Sequence, residues 1–91
     1  MFNAFTATIK GKVQGVGFRY FTKGKADELK LSGWVRNHPN GTVELLAKGN
    51  RSSLEQFMHY LEAGPIGSRV EKVESQWFED LYEYKDFEIR G

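Results

Sequence analysis

The chain has 91 residues, is 40% hydrophobic and 14% aromatic, and carries 13 Lys and Arg against 12 Asp and Glu, a formal net charge of +1. That length suits a single domain over residues 1–91 and is too short for two cores, and the composition is that of a folded globule. Near-neutral charge gives no strong pull toward nucleic acid or a membrane surface. The absence of cysteine removes disulfides and thiolate chemistry, and two histidines make a structural zinc site a poor expectation.

No charged segment followed by an apolar core opens the chain, and no apolar run is long enough to span a bilayer. The expected location is the cytoplasm. No internal repeat or low-complexity linker interrupts the sequence.

Phe5, Ala7 and Ile9 alternate with Thr6, Thr8 and Lys10, the pattern of a strand with one buried face. From Phe18 to Leu31 the spacing becomes helical, with Phe18, Thr22, Ala26 and Leu29 on one stripe. Gly24 inside that helix costs about 1 kcal/mol relative to alanine, which predicts a close packing neighbour there. Ser32-Gly33 is expected to end the helix, and Trp34–Asn37 to form a second strand. Pro39-Asn40-Gly41 is a turn signal, and Thr42–Lys48 returns as a third strand to complete a hairpin. Ser52 and Glu55 stand at capping-box spacing at the start of a second helix whose apolar stripe is Leu54, Phe57, Met58 and Leu61. Gly64-Pro65-Ile66-Gly67 stops it. A fourth strand follows over Val70–Phe78, with a bulge expected between Val70 and Val73 where alternation breaks. After a charged, tyrosine-containing connection, Phe87 and Ile89 suggest a short closing strand.

Between the first strand and the first helix lies Gly11-Lys12-Val13-Gln14-Gly15-Val16-Gly17-Phe18-Arg19. A strand that passes through a glycine turn into a helix start aims several free backbone N–H groups at one point, where the helix dipole adds positive charge. A small anion is the expected occupant, with Arg19 adding a planar fork of donors. Neither dinucleotide-binding nor Walker spacing is present, and a plain tight turn remains the alternative.

The order β-α-β-β-α-β, with a short fifth strand, predicts an α+β, ferredoxin-like split βαβ fold, an antiparallel sheet with two helices on one face. In that topology the first two strands run parallel with the third between them, so their C-terminal ends share one edge, roughly 10 Å apart. Asn37 then meets the glycine loop at one shallow site. Its alternative role is an Asx residue that starts the turn before Pro39.

The two motifs, Gly11–Arg19 and Gly33-Trp34-Val35-Arg36-Asn37 with Asn40-Gly41-Thr42-Val43-Glu44, resemble the acylphosphatase family, as does the terminal Tyr84-Lys85-Asp86-Phe87-Glu88-Ile89. One departure is Asn40, where the family commonly has aspartate. The resemblance implies a metal-free, cofactor-free hydrolase of acyl phosphates. It assigns phosphate binding to Arg19 and to the backbone of Gln14, Gly15, Val16, Gly17 and Phe18, and the orienting of water to Asn37. Inorganic phosphate and sulfate are expected as competing anions, and a monomer is the expected state, with no nucleic-acid or membrane partner.

Other residues carry weaker chemistry. His38 could act as a nucleophile or base, though a turn histidine is more often solvated. His59 reads as a helix surface residue, Glu71/Glu74 and Glu79/Asp80 as solvated charge, and Trp34 and Trp77 as packing. Two rival functions are an RNA-binding module, which lacks its aromatic signature here, and an accessory acylphosphatase-like domain serving a larger enzyme.

Overall fold

In the computed structural model, which describes residues 2–91, β1 (Ala4–Lys12) turns Phe5, Ala7 and Ile9 fully into the core. It is followed by α1 (Phe18–Glu28), β2 (Ser32–Asn37), β3 (Val43–Lys48), α2 (Arg51–Ala63), β4 (Arg69–Phe78) and β5 (Phe87–Arg90). The sheet order is β4-β1-β3-β2-β5, so β3 lies between β1 and β2 as the sequence predicts. β1 and β2 each pair antiparallel with β3 and therefore run the same way, which brings their C-terminal ends to one edge.

α1 packs on β2 and β5, α2 packs on β4 and β1, and the two helices touch each other. Phe18, Thr22 and Ala26 of α1 and Leu54, Phe57 and Leu61 of α2 are buried, as their helical spacing predicts. The rings of Phe5 and Phe57 lie 6.2 Å apart, and those of Phe57 and Phe87 lie 6.0 Å apart edge-to-face. This cluster joins sheet and helices in one core. The other face of the sheet carries ion pairs between neighbouring strands, Lys10–Glu74 at 2.8 Å and Arg36–Glu44 at 2.7 Å.

Several expectations need correction. The sheet is mixed, because β5 pairs parallel with β2. The connection after β4 crosses from one edge of the sheet to the other and reverses direction, and direction is invisible to strand periodicity. It is anchored by Asn3, whose side chain donates to Asp80 O at 3.1 Å and accepts from Asp80 N at 2.8 Å. Asp80 is thus half-buried and structural, with Oδ1 accepting from Tyr82 N at 2.9 Å.

α1 stops at Glu28 because Lys30 adopts a positive φ of 58°, and Leu31 N then donates back to Ala26 O at 2.9 Å. Ser32 and Gly33 consequently belong to β2, opposite Lys48 and Ala47. α2 is capped by Asn50, whose Oδ1 accepts from Ser53 N at 2.8 Å, so the predicted Ser52 cap is not used. Gly24 faces solvent, and nothing lies within 4 Å of where its Cβ would be. The bulge in β4 falls where expected: Lys10 pairs with Lys72 and Gly11 with Val70, which leaves Glu71 as the extra residue.

Candidate active site

Gly11 belongs to β1 and not to the loop. A Cβ there would sit 2.0 Å from Arg69 O, so glycine is required by the close approach of β4 at the bulge. The loop proper runs from residue 13 to 17. Within it Gly15 and Gly17 have φ of 74° and 75°, while Gln14 and Val16 keep negative φ. Such alternation of φ is the kind of backbone that can turn successive N–H groups to one side of a loop. A Cβ would meet nothing within 4 Å at Gly15 or Gly17, so backbone conformation and not space demands glycine.

Among the described residues, the N–H groups from Gln14 to Tyr20 make no hydrogen bond, and Phe21 N is the first to donate, to Gly17 O at 3.0 Å. The start of α1 therefore differs from that of α2. It has no side-chain cap, where α2 has Asn50, and Arg19 stands in its first turn. A cation beside the positive end of a helix dipole is unfavourable by about 0.3–1 kcal/mol in isolation. An anion bound between them reverses that sign. Phe18, 1% exposed, anchors the loop to the core beneath this end.

Val13, Gly15, Gly17, Phe18, Arg19, Tyr20 and Asn37 line one cavity of about 110 Å³, room for a small oxyanion. The topology thus brings Arg19, the glycine loop and Asn37 together. Arg19 Nη1 donates to Gly91 O at 3.2 Å, which steadies one side of the fork and leaves its other donors available. Asn37 ends β2 half-exposed, and among the described residues its amide has no hydrogen-bond partner. The Asx role considered for Asn37 falls to Asn40, whose Oδ1 accepts from Thr42 N at 3.1 Å.

His38 is spent on that same turn, with Nδ1 accepting from Asn40 N at 3.1 Å and Nε2 4.0 Å from Glu44. His59 is exposed on α2. Trp77 packs 4.9 Å from Phe5, whereas Trp34 lies half-buried on the opposite sheet face, with Arg90 5.4 Å from its ring.

Gln14 and Val16 do not line the cavity with the rest of the loop. Val16 packs against the core, and the Gln14 side chain turns toward the β2–β3 turn, with Nε2 2.7 Å from His38 O and 2.9 Å from Thr42 O. That side-chain contact and the place of Tyr20 at the cavity are absent from the sequence reading. The only signal for the first is a long amide where a glycine turn needs none. Two larger cavities lie elsewhere, about 480 Å³ beside His59 and Trp77 and about 320 Å³ beside Trp34 and Arg90. Neither gathers free backbone N–H groups, and for a ligand as small as phosphate, converging donors matter more than volume.

Fold and site together define an α+β domain in which a glycine loop, a helix N-terminus and an asparagine at the end of β2 border one small cavity. The family profile described as Acylphosphatase matches residues 5–89. An acylphosphatase of Thermus thermophilus is 53% identical over 74 residues, covering 81% of this chain and 84% of that protein. The crystal structure of acylphosphatase from Bacillus subtilis superposes with a TM-score of 0.94 at 36% identity, covering 97% of this chain and 98% of that one. Full-length HypF in its phosphate- and nucleotide-bound form matches 100% of this chain within 12% of its own, with a TM-score of 0.90 and 32% identity. The chain belongs to the acylphosphatase family.

Proposed function

We propose that the chain hydrolyses the carboxyl–phosphate anhydride of acyl phosphates without a metal, using Arg19 and the Gln14–Phe18 backbone to hold phosphate and Asn37 to orient water. The observation that carries this is the shared cavity. Free N–H groups, the Arg19 fork and the unengaged Asn37 amide all border the same small volume.

The chemistry fits such sparse machinery. Water adds to phosphorus, the bond from phosphorus to the acyl oxygen breaks, and the carboxylate leaves with the electron pair. A carboxylate is a good leaving group, so no strong general acid is required. The guanidinium and the N–H ring meet the charge spread over the phosphoryl oxygens. Asparagine is no base, so its amide contributes position alone, and the water's proton passes to a phosphoryl oxygen or to solvent.

Residues 1–91 act in this proposal as one acylphosphatase-like domain, a monomer in the cytoplasm, with inorganic phosphate and sulfate as competitors for the anion site. A single core running under the whole sheet supports the first of these. An RNA-binding role has less support, since Lys10, Arg36 and Arg90 on the open sheet face are already paired with glutamates. Release of inorganic phosphate from acetyl, carbamoyl and aromatic acyl phosphates tests the reading and ranks the substrates. No release from any of them would overturn it and favour an accessory binding role.

A further inference from the structure

Gln14 contributes backbone to the phosphate loop, but its side chain leaves the loop altogether. Nε2 lies 2.7 Å from His38 O and 2.9 Å from Thr42 O, so both amide hydrogens are spent on carbonyls of the β2–β3 turn. The amide orientation is forced, because an oxygen in that place would face two acceptors. These two carbonyls flank the neck of the turn, where His38 N also donates to Thr42 O at 2.8 Å and Gly41 N to His38 O at 3.0 Å. His38 directly follows Asn37 in the chain. One side chain therefore ties the loop that holds the anion to the strand end that carries the asparagine.

We infer that Gln14 is a positioning residue, whose side chain sets the distance between the phosphate loop and Asn37. The inference rests on the assignment of Asn37 as the residue that orients water. Stability alone does not explain the contact. Each carbonyl keeps a backbone donor when the amide is removed, so neither becomes an orphan. What is lost is the tie between two segments that, among the described residues, no other hydrogen bond joins directly. Attack geometry is sensitive to displacements of about 1 Å, which can cost on the order of 10²-fold in rate.

The test uses Gln14→Met, which keeps length and loses both donors, and Gln14→Glu, which can donate only when protonated. Gln14→Met should lower kcat by about tenfold or more while the inhibition constant for inorganic phosphate and the urea midpoint stay near wild type. Gln14→Glu should regain turnover, relative to the wild-type profile, as pH falls through its carboxyl titration. Asn37→Ala and the double variant complete a cycle: with Asn37 gone, adding Gln14→Met should cost little more. Unchanged kcat in Gln14→Met beside an impaired Asn37→Ala overturns this inference alone. So does a loss of phosphate affinity as large as the loss of kcat, or additivity in the double variant. A fully active Asn37→Ala overturns the Asn37 assignment, and the role of Gln14 with it.

Discussion

Asn40 Oδ1 accepts from both the backbone N–H and the hydroxyl of Thr42, at 3.1 and 2.7 Å, and so closes the β2–β3 turn without help from Asn37. The two asparagines stand three residues apart and have separate work. Asn37→Ala should lower kcat on the order of 10²-fold with phosphate affinity near normal, because an interaction that places the nucleophile leaves ground-state binding intact. Asn40→Ala should instead lose about 1 kcal/mol of stability and keep its turnover per folded molecule. Measuring kcat, phosphate Kd and urea midpoint on both variants separates the roles. A destabilised but active Asn37→Ala protein would sink the catalytic assignment.

Arg19→Ala should impair both phosphate binding and turnover, at about 1.5–3 kcal/mol for the charged hydrogen bonds in binding alone. Arg19→Lys should rescue it poorly, since an ammonium cannot reproduce a planar fork. Stability should move little. The variant loses the 3.2 Å bond to Gly91 O and is relieved of a cation at a helix N-terminus, two changes of opposite sign and each about 1 kcal/mol or less. A lysine variant equal to wild type in both kcat and KM would reduce Arg19 to a surface charge.

Much of this was legible in the sequence for physical reasons. Alternation at Phe5, Ala7 and Ile9 and helical spacing at Leu54, Phe57 and Leu61 are local records of which face is buried. The broken alternation around Glu71 recorded the bulge in the same way. What was missed depends on contacts between distant segments or on choices between near-equal neighbours. Asn50 and Ser52 are both good caps, and only the chain's path selects Asn50. Lys30 takes the left-handed φ of 58° that ends α1, while Gly33, with a positive φ of 136° of its own, is needed opposite Ala47, where a Cβ would clash with Leu46 O. The parallel pairing of β5 and the reach of Gln14 across 24 and 28 residues are set by topology, which no window of sequence contains.

Hydrolysis should survive EDTA. Among the described residues no three His, Asp or Glu side chains gather where a metal ion could be held. Activity lost on chelation and restored by Mg²⁺ or Zn²⁺ would contradict the mechanism. Inorganic phosphate and sulfate should both compete with substrate, since each can occupy the same N–H ring. Purely non-competitive inhibition would place the anion site away from the loop.

Acid should erase one contribution to stability on the open sheet face. The hydrogen bond from Lys10, followed by the charges of Lys10 and Lys72, holds the Glu74 carboxyl below its ordinary range. Its folded pKa is thus lower than its unfolded one, so the stabilisation is present above the unfolded value and disappears as pH falls through the folded value. Glu74→Gln should be slightly less stable than wild type at neutral pH, and the two should converge below the carboxylate range. Salt should narrow the gap too, because the pair is exposed. Urea midpoints at neutral and acid pH check this, and a gap that widens in acid would contradict it.

Three glycines with open space around them should respond to alanine in opposite directions. Gly24 lies in the exposed part of α1 with no positive φ, so Gly24→Ala removes only backbone entropy from the unfolded chain. It should stabilise by about 1 kcal/mol and leave kcat unchanged. Gly15 and Gly17 have equally free surroundings, but their φ of 74° and 75° is one that alanine adopts only under strain, by roughly 1–2 kcal/mol each. An alanine there either bears that strain or lets the loop relax, and relaxation turns N–H groups away from the anion. Gly17→Ala should therefore raise the phosphate Kd as well as lower the melting temperature, although its new methyl touches nothing. If Gly17→Ala bound phosphate as wild type does, the alternating backbone would not be what holds the anion.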